Sequence, residues 1–139
     1  MNQTLKTMQI IHGALMTGIV LFMAAGYFVA EIPENPEENS VYTYLWLGIT
    51  IPVLVAVYYL YNNRRSAWAH LQNESDKEQA YQTRMIIIFA LLEAPCLFGT
   101  VLYILSAEAL YLAAVAVLLL VFVRLRPTAQ SYKDDLGIN

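Results

Sequence analysis

Cysteine is nearly missing from this chain, and so is charge. Cys96 is the single cysteine among 139 residues and lies inside an apolar run. That excludes a disulfide scaffold, and it excludes a zinc or iron–sulfur site built from the cysteines of one chain. Charged residues make up 14% and hydrophobic ones 58%, whereas an ordinary soluble domain is roughly one quarter charged. Eight Lys and Arg stand against eleven Asp and Glu, a formal charge of -3. No basic patch is ready to follow nucleic-acid phosphates, so nucleic acid is excluded as a partner. Nucleophile–base pairs, metal-ligand clusters and phosphate-cradling glycine loops are missing as well, and Tyr103, Ser106 and Cys96 have no reactive partner in sequence. Enzymatic activity, a metal site and a cofactor are therefore not expected. There is no internal repeat, low-complexity tract or separate soluble domain, and 139 residues suit one domain.

What the chain has instead is long apolar runs. Crossing roughly 30 Å of hydrocarbon takes about 20 mostly apolar helical residues, and four stretches qualify: Met8 to Ala30, Val41 to Tyr61, Met85 to Leu105, and Ala107 to Val123. The runs are continuous rather than alternating, which disfavours strands, because a lipid-exposed backbone must satisfy its hydrogen bonds within a helix or a closed barrel. The expected fold is all-α, an integral membrane bundle of four transmembrane helices in a single domain, 1–139. The first run is longer than a secretory h-region, and Phe28-Val29-Ala30 is a poor cleavage site, so this segment is expected to be retained.

Charge orients the bundle. Lys6 precedes the first run, Arg64, Arg65, Lys77 and Arg84 lie between the second and third, and Arg124, Arg126 and Lys133 follow the fourth. All eight basic residues fall on one side. Glu31, Glu34, Glu37, Glu38 and Glu108 fall on the other. The positive-inside rule then places both termini in the cytoplasm of a multi-pass protein of the inner (plasma) membrane. The loop Glu31 to Ser40, with two prolines and four carboxylates, reads as a solvated connection. Ser75-Asp-Lys-Glu78 has the capping-box pattern and predicts that the third helix begins near Asp76. The second helix is expected to extend through Trp68 to about Leu71, and the tail, 126–139, to be mobile. Tyr58, Tyr59, Tyr61, Trp68 and Tyr81 fit an interfacial aromatic belt on the basic side, and Tyr42, Tyr44 and Trp46 one on the acidic side.

Glu93 is the one carboxylate inside an apolar run, roughly 13 Å past Arg84 at 1.5 Å per residue. An acid at that depth costs about 2.5–3.5 kcal/mol on the insertion scale and should face the bundle interior in its protonated form. Depth matching brings Thr17 and Thr50 to its level, while Pro52 and Pro95 would kink their helices there and free the carbonyls of Gly48 and Leu91. His12 lies nearer the cytoplasmic boundary, where it could relay protons through water or reach for the interface. A bis-histidine haem would need His70, which falls outside the membrane, so haem is not expected. Small residues at helical spacing, Gly13 with Thr17, Ala14 with Gly18, then Ala25, Ala90 with Ala94 and Ala109 with Ala113, are expected to line the bundle core or a subunit interface.

The stretch Phe89-Ala-Leu-Leu-Glu93-Ala-Pro-Cys-Leu-Phe-Gly99 resembles the carboxylate-bearing helix of rotary ATPase proteolipids, the c subunits, whose mid-membrane Glu in an Ala-x-x-Glu-Ala context binds the transported ion. That resemblance covers one helix and implies an ion-binding role for Glu93. It departs in the preceding helix, which has only Gly48 where proteolipids carry a dense glycine repeat. The opening Leu5-Lys-Thr-Met-Gln-Ile-Ile11, the stretch Ala90-Leu-Leu-Glu-Ala-Pro95 and Arg126-Pro-Thr128 are similar to small four-helix membrane proteins of bacteria, Bacteroidota-like ones above all. This second likeness implies the topology and carries no activity. The small multidrug-resistance transporters also use one membrane Glu, on their first helix rather than their third. Two functions follow as expectations: a structural, accessory or assembly subunit in which Glu93 pins helices, or a proton- or cation-coupled path through Glu93. Expected partners are the lipid bilayer and either further copies of the chain or a larger membrane complex.

Overall fold

A computed structural model describes residues 3–31 and 40–137. The described part is all-helical: α1 (Gln3–Val29), α2 (Ser40–Asn62), α3 (Glu74–Ser106), α4 (Ala109–Arg124) and α5 (Ala129–Leu136), with a 3-10 turn at Arg65–Ala67. Most of the acidic loop, 32–39, lies outside the described residues, and Glu31 before it is exposed. Three helices, α1, α2 and α3, are long and apolar enough to cross a membrane. At 16 residues α4 qualifies only when taken together with α5, from which it is bent by 63°.

The helices are arranged around α3. Thr4 donates to Glu78 at one end of α1, and Gly26 meets Thr100 and Ile104 at the other, so α1 and α3 run parallel. Trp46 on α2 reaches Pro95 and Arg84 reaches Leu60, so α2 runs antiparallel to α3. Val115 of α4 faces Gly99 and Phe122 stacks on Phe89, which makes α4 antiparallel as well. This up-and-down order gathers all eight Lys and Arg at one end of the bundle, hereafter the basic end.

Side-chain size decides how close the helices come. A Cβ on Gly99 would lie 2.6 Å from Val115 Cγ2 and 2.8 Å from Trp46 Nε1, and one on Gly26 would lie 3.2 Å from Ile104 and Thr100. These two glycines are the tight crossings. The spaced small residues are not: a Cβ on Gly13 or Gly18 would meet nothing within 4 Å, and Gly13, Ala14, Thr17, Gly18, Ala25, Ala90, Ala94, Ala109 and Ala113 are all exposed. Helices that are apolar all round give spacing no face to report, which is why the expected core stripe points outward.

The connections differ from expectation in three places. First, α2 stops at Asn62 instead of continuing to Leu71, because the chain turns through Arg65–Ala67 and buries Trp68 beneath it. Second, α3 is capped by Asn73, whose Oδ1 accepts from the Ser75 N–H at 3.4 Å; Ser75 is the second helical residue, not the cap. Asn caps as well as Ser, and it stands where the chain leaves extended geometry. Third, the tail is ordered as α5, started by Thr128 accepting from the Ser131 N–H and ended by Gly137 in the left-handed region. Between α3 and α4 the non-glycine Ala107 takes φ +54°, and the Ser106 hydroxyl accepts from the Glu108 N–H. Both prolines are carried inside continuous helices, Pro95 on the buried side and Pro52 on the exposed side.

Two outcomes test this packing. Gly99→Ala should destabilise the protein by about 1–3 kcal/mol, the cost of overpacking, while Gly13→Ala should leave thermal unfolding in detergent unchanged or slightly higher. Asn73→Ala should cost about 1 kcal/mol of local stability and raise amide exchange over the first turn of α3. Ser75→Ala should do neither.

Candidate functional site

Glu93 sits on the face of α3 that it shares with Phe89 and Thr100, within about 40° at 100° per residue. That face looks at α1: Phe89 packs edge-on against His12 at 5.0 Å, and Thr100 meets Gly26. Glu93 is half-buried and, among the described residues, makes no ion pair or hydrogen bond. Its expected neighbours are placed elsewhere. Thr17 is exposed, about 140° around α1 from His12. Thr50 is buried on α2 one turn beyond Trp46, so it faces α3 near Leu91 and Pro95, about 160° around α3 from Glu93. Pro52 is exposed. The two prolines and two threonines therefore do not converge on the carboxylate. Thr50 Oγ1 is buried without a hydrogen-bond partner in the described structure, beside the segment where Pro95 leaves the Leu91 carbonyl without its helical donor.

His12 neither reaches the interface nor opens toward water. It is 4% exposed, wedged between Phe89 and Phe122 at 5.0 Å each, with Nε2 2.8 Å from the Phe122 carbonyl. A carbonyl can only accept, so Nε2 carries the proton. The bond ties the start of α1 to one of the last carbonyls of α4, which lack intrahelical donors. Gln9 repeats the device one residue cluster earlier, donating to the Pro127 carbonyl at 3.0 Å.

The densest polar cluster lies at the basic end, around Asp135 of α5. Its carboxylate accepts from Arg64 Nε at 2.7 Å and Arg65 Nε at 3.3 Å, and its backbone carbonyl accepts from Trp68 Nε1 at 2.7 Å. The Asp135 side chain is 2% exposed, Arg64 16% and Arg65 63%, so Arg64 is the partner that matters. Burial alone would lower the Arg64 guanidinium, but the hydrogen bond and charge of Asp135 outweigh it and hold the group above its ordinary value. Trp68, Tyr81 and Tyr132 form an edge-to-face chain with centroids 5.7 and 5.1 Å apart. Tyr132 also engages Glu78, which accepts from Thr4; burial first, and then Glu78, pushes the Tyr132 phenol up.

Asp135 lies in the tail expected to be mobile, and no motif in the sequence singles it out. Trp46, Trp68 and Tyr81, expected in aromatic belts, are buried instead, Trp46 donating to the Pro95 carbonyl at 3.1 Å. Tyr44, Tyr58 and Tyr59 do remain exposed. The missed signal was local: Thr128 before the segment and Gly137 after it are a helix start and stop, and Tyr132, Asp135 and Leu136 fall on one face between them. Among the described residues no group of His, Cys, Asp and Glu could hold a metal ion. Comparison with protein-family models, with curated proteins and with solved structures found no match.

The clamp has a measurable consequence. Asp135→Ala should release α5, with a loss of about 1.5–3 kcal/mol typical of a hydrogen bond to a charged group and early proteolytic cleavage between Arg126 and Leu136. Arg65→Ala should have little effect, as its side chain is mostly exposed.

Proposed function

We propose that the chain is a multi-pass integral protein of the inner membrane, with four spans and both termini in the cytoplasm, and that it acts as a structural or accessory helical subunit. The observation that carries this reading is the state of its buried polar groups. His12 donates to the Phe122 carbonyl, Trp46 to the Pro95 carbonyl, and the Thr100 and Ser106 hydroxyls to carbonyls one turn back. Each joins helix to helix or closes on its own helix. Phe89, Leu92 and Cys96, the near neighbours of Glu93 on α3, are fully buried, as is Ile19 of α1, and these apolar groups supply none of the polar side chains that a conduction path requires. The gathering of every basic residue at one end supports the orientation. In this reading Glu93 works as a helix-pinning group on the α1–α3 seam, and the partners are the bilayer together with copies of the chain or a larger membrane assembly. Two observations weigh against the transport alternative: Thr17 and Thr50, expected beside Glu93, stand on other faces, and the Thr100 hydroxyl on its own face is spent on the Cys96 carbonyl.

Reconstitution separates the two functions. Proteoliposomes of the wild type should show no proton or cation flux above that of empty vesicles, and Glu93→Gln should behave alike. Flux that is present in the wild type and abolished by Glu93→Gln in a folded protein would overturn the structural reading. Orientation is checked in a Cys96→Ser background: a cysteine at Glu108 should react with an impermeant thiol reagent added outside intact cells, and one at Lys133 should not.

A further inference from the structure

At the basic end α2 and α3 diverge and leave an open groove of about 440 Å³. Its long wall is one stripe of α3 at helical spacing, from Asp76 through Gln79 and Ala80 to Thr83, Arg84 and Ile87, roughly 16 Å long at 1.5 Å per residue. Leu60 of α2 forms the other side. The stripe is graded: carboxylate and amide at the end nearest the chain connection, guanidinium and hydroxyl in the middle, branched aliphatic at the far end where the apolar run of α3 begins. A phospholipid has the same gradient, from headgroup through phosphate to acyl chain.

The charges are matched too. Arg84 spends Nε on the Leu60 carbonyl at 3.1 Å and has no carboxylate within ion-pair distance among the described residues, so its two terminal amino groups are uncommitted. Asp76 is exposed two turns earlier and is likewise unpaired among the described residues. Their backbones are roughly 12 Å apart, and helical side chains lean toward the N-terminus. Both side chains lean that way, but that of Arg84 is much the longer, so the guanidinium lies nearer Asp76 than the backbones do while staying outside ion-pair distance. A headgroup that carries a phosphate and a terminal ammonium fits one cation and one anion in that order. A trimethylated headgroup offers Asp76 no donor, and a purely anionic one meets the carboxylate unfavourably.

We infer that the α2–α3 groove is a binding site for phosphatidylethanolamine, its phosphodiester held by Arg84 and Thr83, its ammonium by Asp76 and Gln79, and its acyl chain along Ile87 and Leu60. Basic pockets between spans on the cytoplasmic side are where lipid headgroups are recognised. The assignment rests on the membrane reading proposed above.

The test uses the full chain reconstituted in vesicles of equal parts phosphatidylethanolamine, phosphatidylcholine and phosphatidylglycerol, released and examined by native mass spectrometry for retained lipid. Wild type should retain phosphatidylethanolamine on the order of tenfold over the other two, the ratio set by one charge-assisted contact. Asp76→Asn should remove the preference over phosphatidylcholine while some lipid is kept. Arg84→Gln should lower retention of all three, and Ala80→Trp, which fills the groove without changing charge or the Leu60 bond, should do the same. Arg124→Gln, an equal loss of charge at the same end on α4, should change nothing. Equal retention of the three lipids by wild type, enrichment of phosphatidylglycerol, or a loss with Arg124→Gln as large as with Arg84→Gln would each overturn the site. Failure of the chain to float with the vesicles would overturn the membrane reading, and the lipid site with it.

Discussion

The close approach at Gly99 is the contact on which the rest of the bundle depends. Trp46 of α2 and Val115 of α4 both press on a position of α3 that has no side chain, so one residue sets the distance of two helices at once. Trp46 then donates to the Pro95 carbonyl one turn away, which locks the rotation of α2 as well as its distance. Gly26 does the corresponding work for α1 at the far end of α3. Neighbouring helices in a bilayer gain little from the hydrophobic effect, because lipid is as apolar as leucine; packing and hydrogen bonds must supply association. A central helix that offers one gap to two neighbours at Gly99 and fills the gap of a third with Thr100 and Ile104 meets that requirement.

Asp135 and Glu93 are treated in opposite ways. Asp135 is buried but paired, with Arg64 against one oxygen, Arg65 against the other and Trp68 on its backbone carbonyl. A buried charge is tolerated when partners replace its water. Glu93 is half-buried with no such partners among the described residues, on the face of α3 that looks at α1. The structurally decisive carboxylate is therefore at the basic end rather than in the middle of the span, and it belongs to the most polar helix of the chain.

The all-helical class, the three long apolar helices and the segregation of charge were legible from run length and loop composition, because those depend on bulk properties that survive averaging over twenty residues. The facing of each helix was not. α1 and α2 are apolar on every side, so Gly13, Thr17 and Gly18 read the same whether turned inward or outward, and depth matching brought Thr17 and Thr50 to the level of Glu93 without seeing that they stand on different azimuths. Depth is one coordinate of two. His12 was misread for a related reason: a polar ring near a boundary suggests water, yet the Phe122 carbonyl in the last turn of α4 offered it an acceptor inside the bundle. α5 went unread because its eight residues are too few and too polar to announce themselves, and only tertiary contact with Arg64, Trp68 and Glu78 gives them a fold.

The basic residues also hold the structure together. Arg84 donates to the Leu60 carbonyl and Arg64 to the Tyr61 carbonyl at 2.8 Å, so two arginines from different segments take successive carbonyls of the last turn of α2, which have no helical donors. Positive charge there also opposes the negative end of the helix dipole. Arg64 further stacks over the Tyr61 ring at 4.0 Å while holding Asp135, a combination of fork, plane and charge that lysine does not offer. The cations that a membrane would retain on its cytoplasmic side are thus the same groups that terminate α2, turn the chain toward α3 and fasten α5. Charge segregation and fold at this end thus draw on one set of side chains, so the arginines that distinguish this end from the other are also the groups that close its structure.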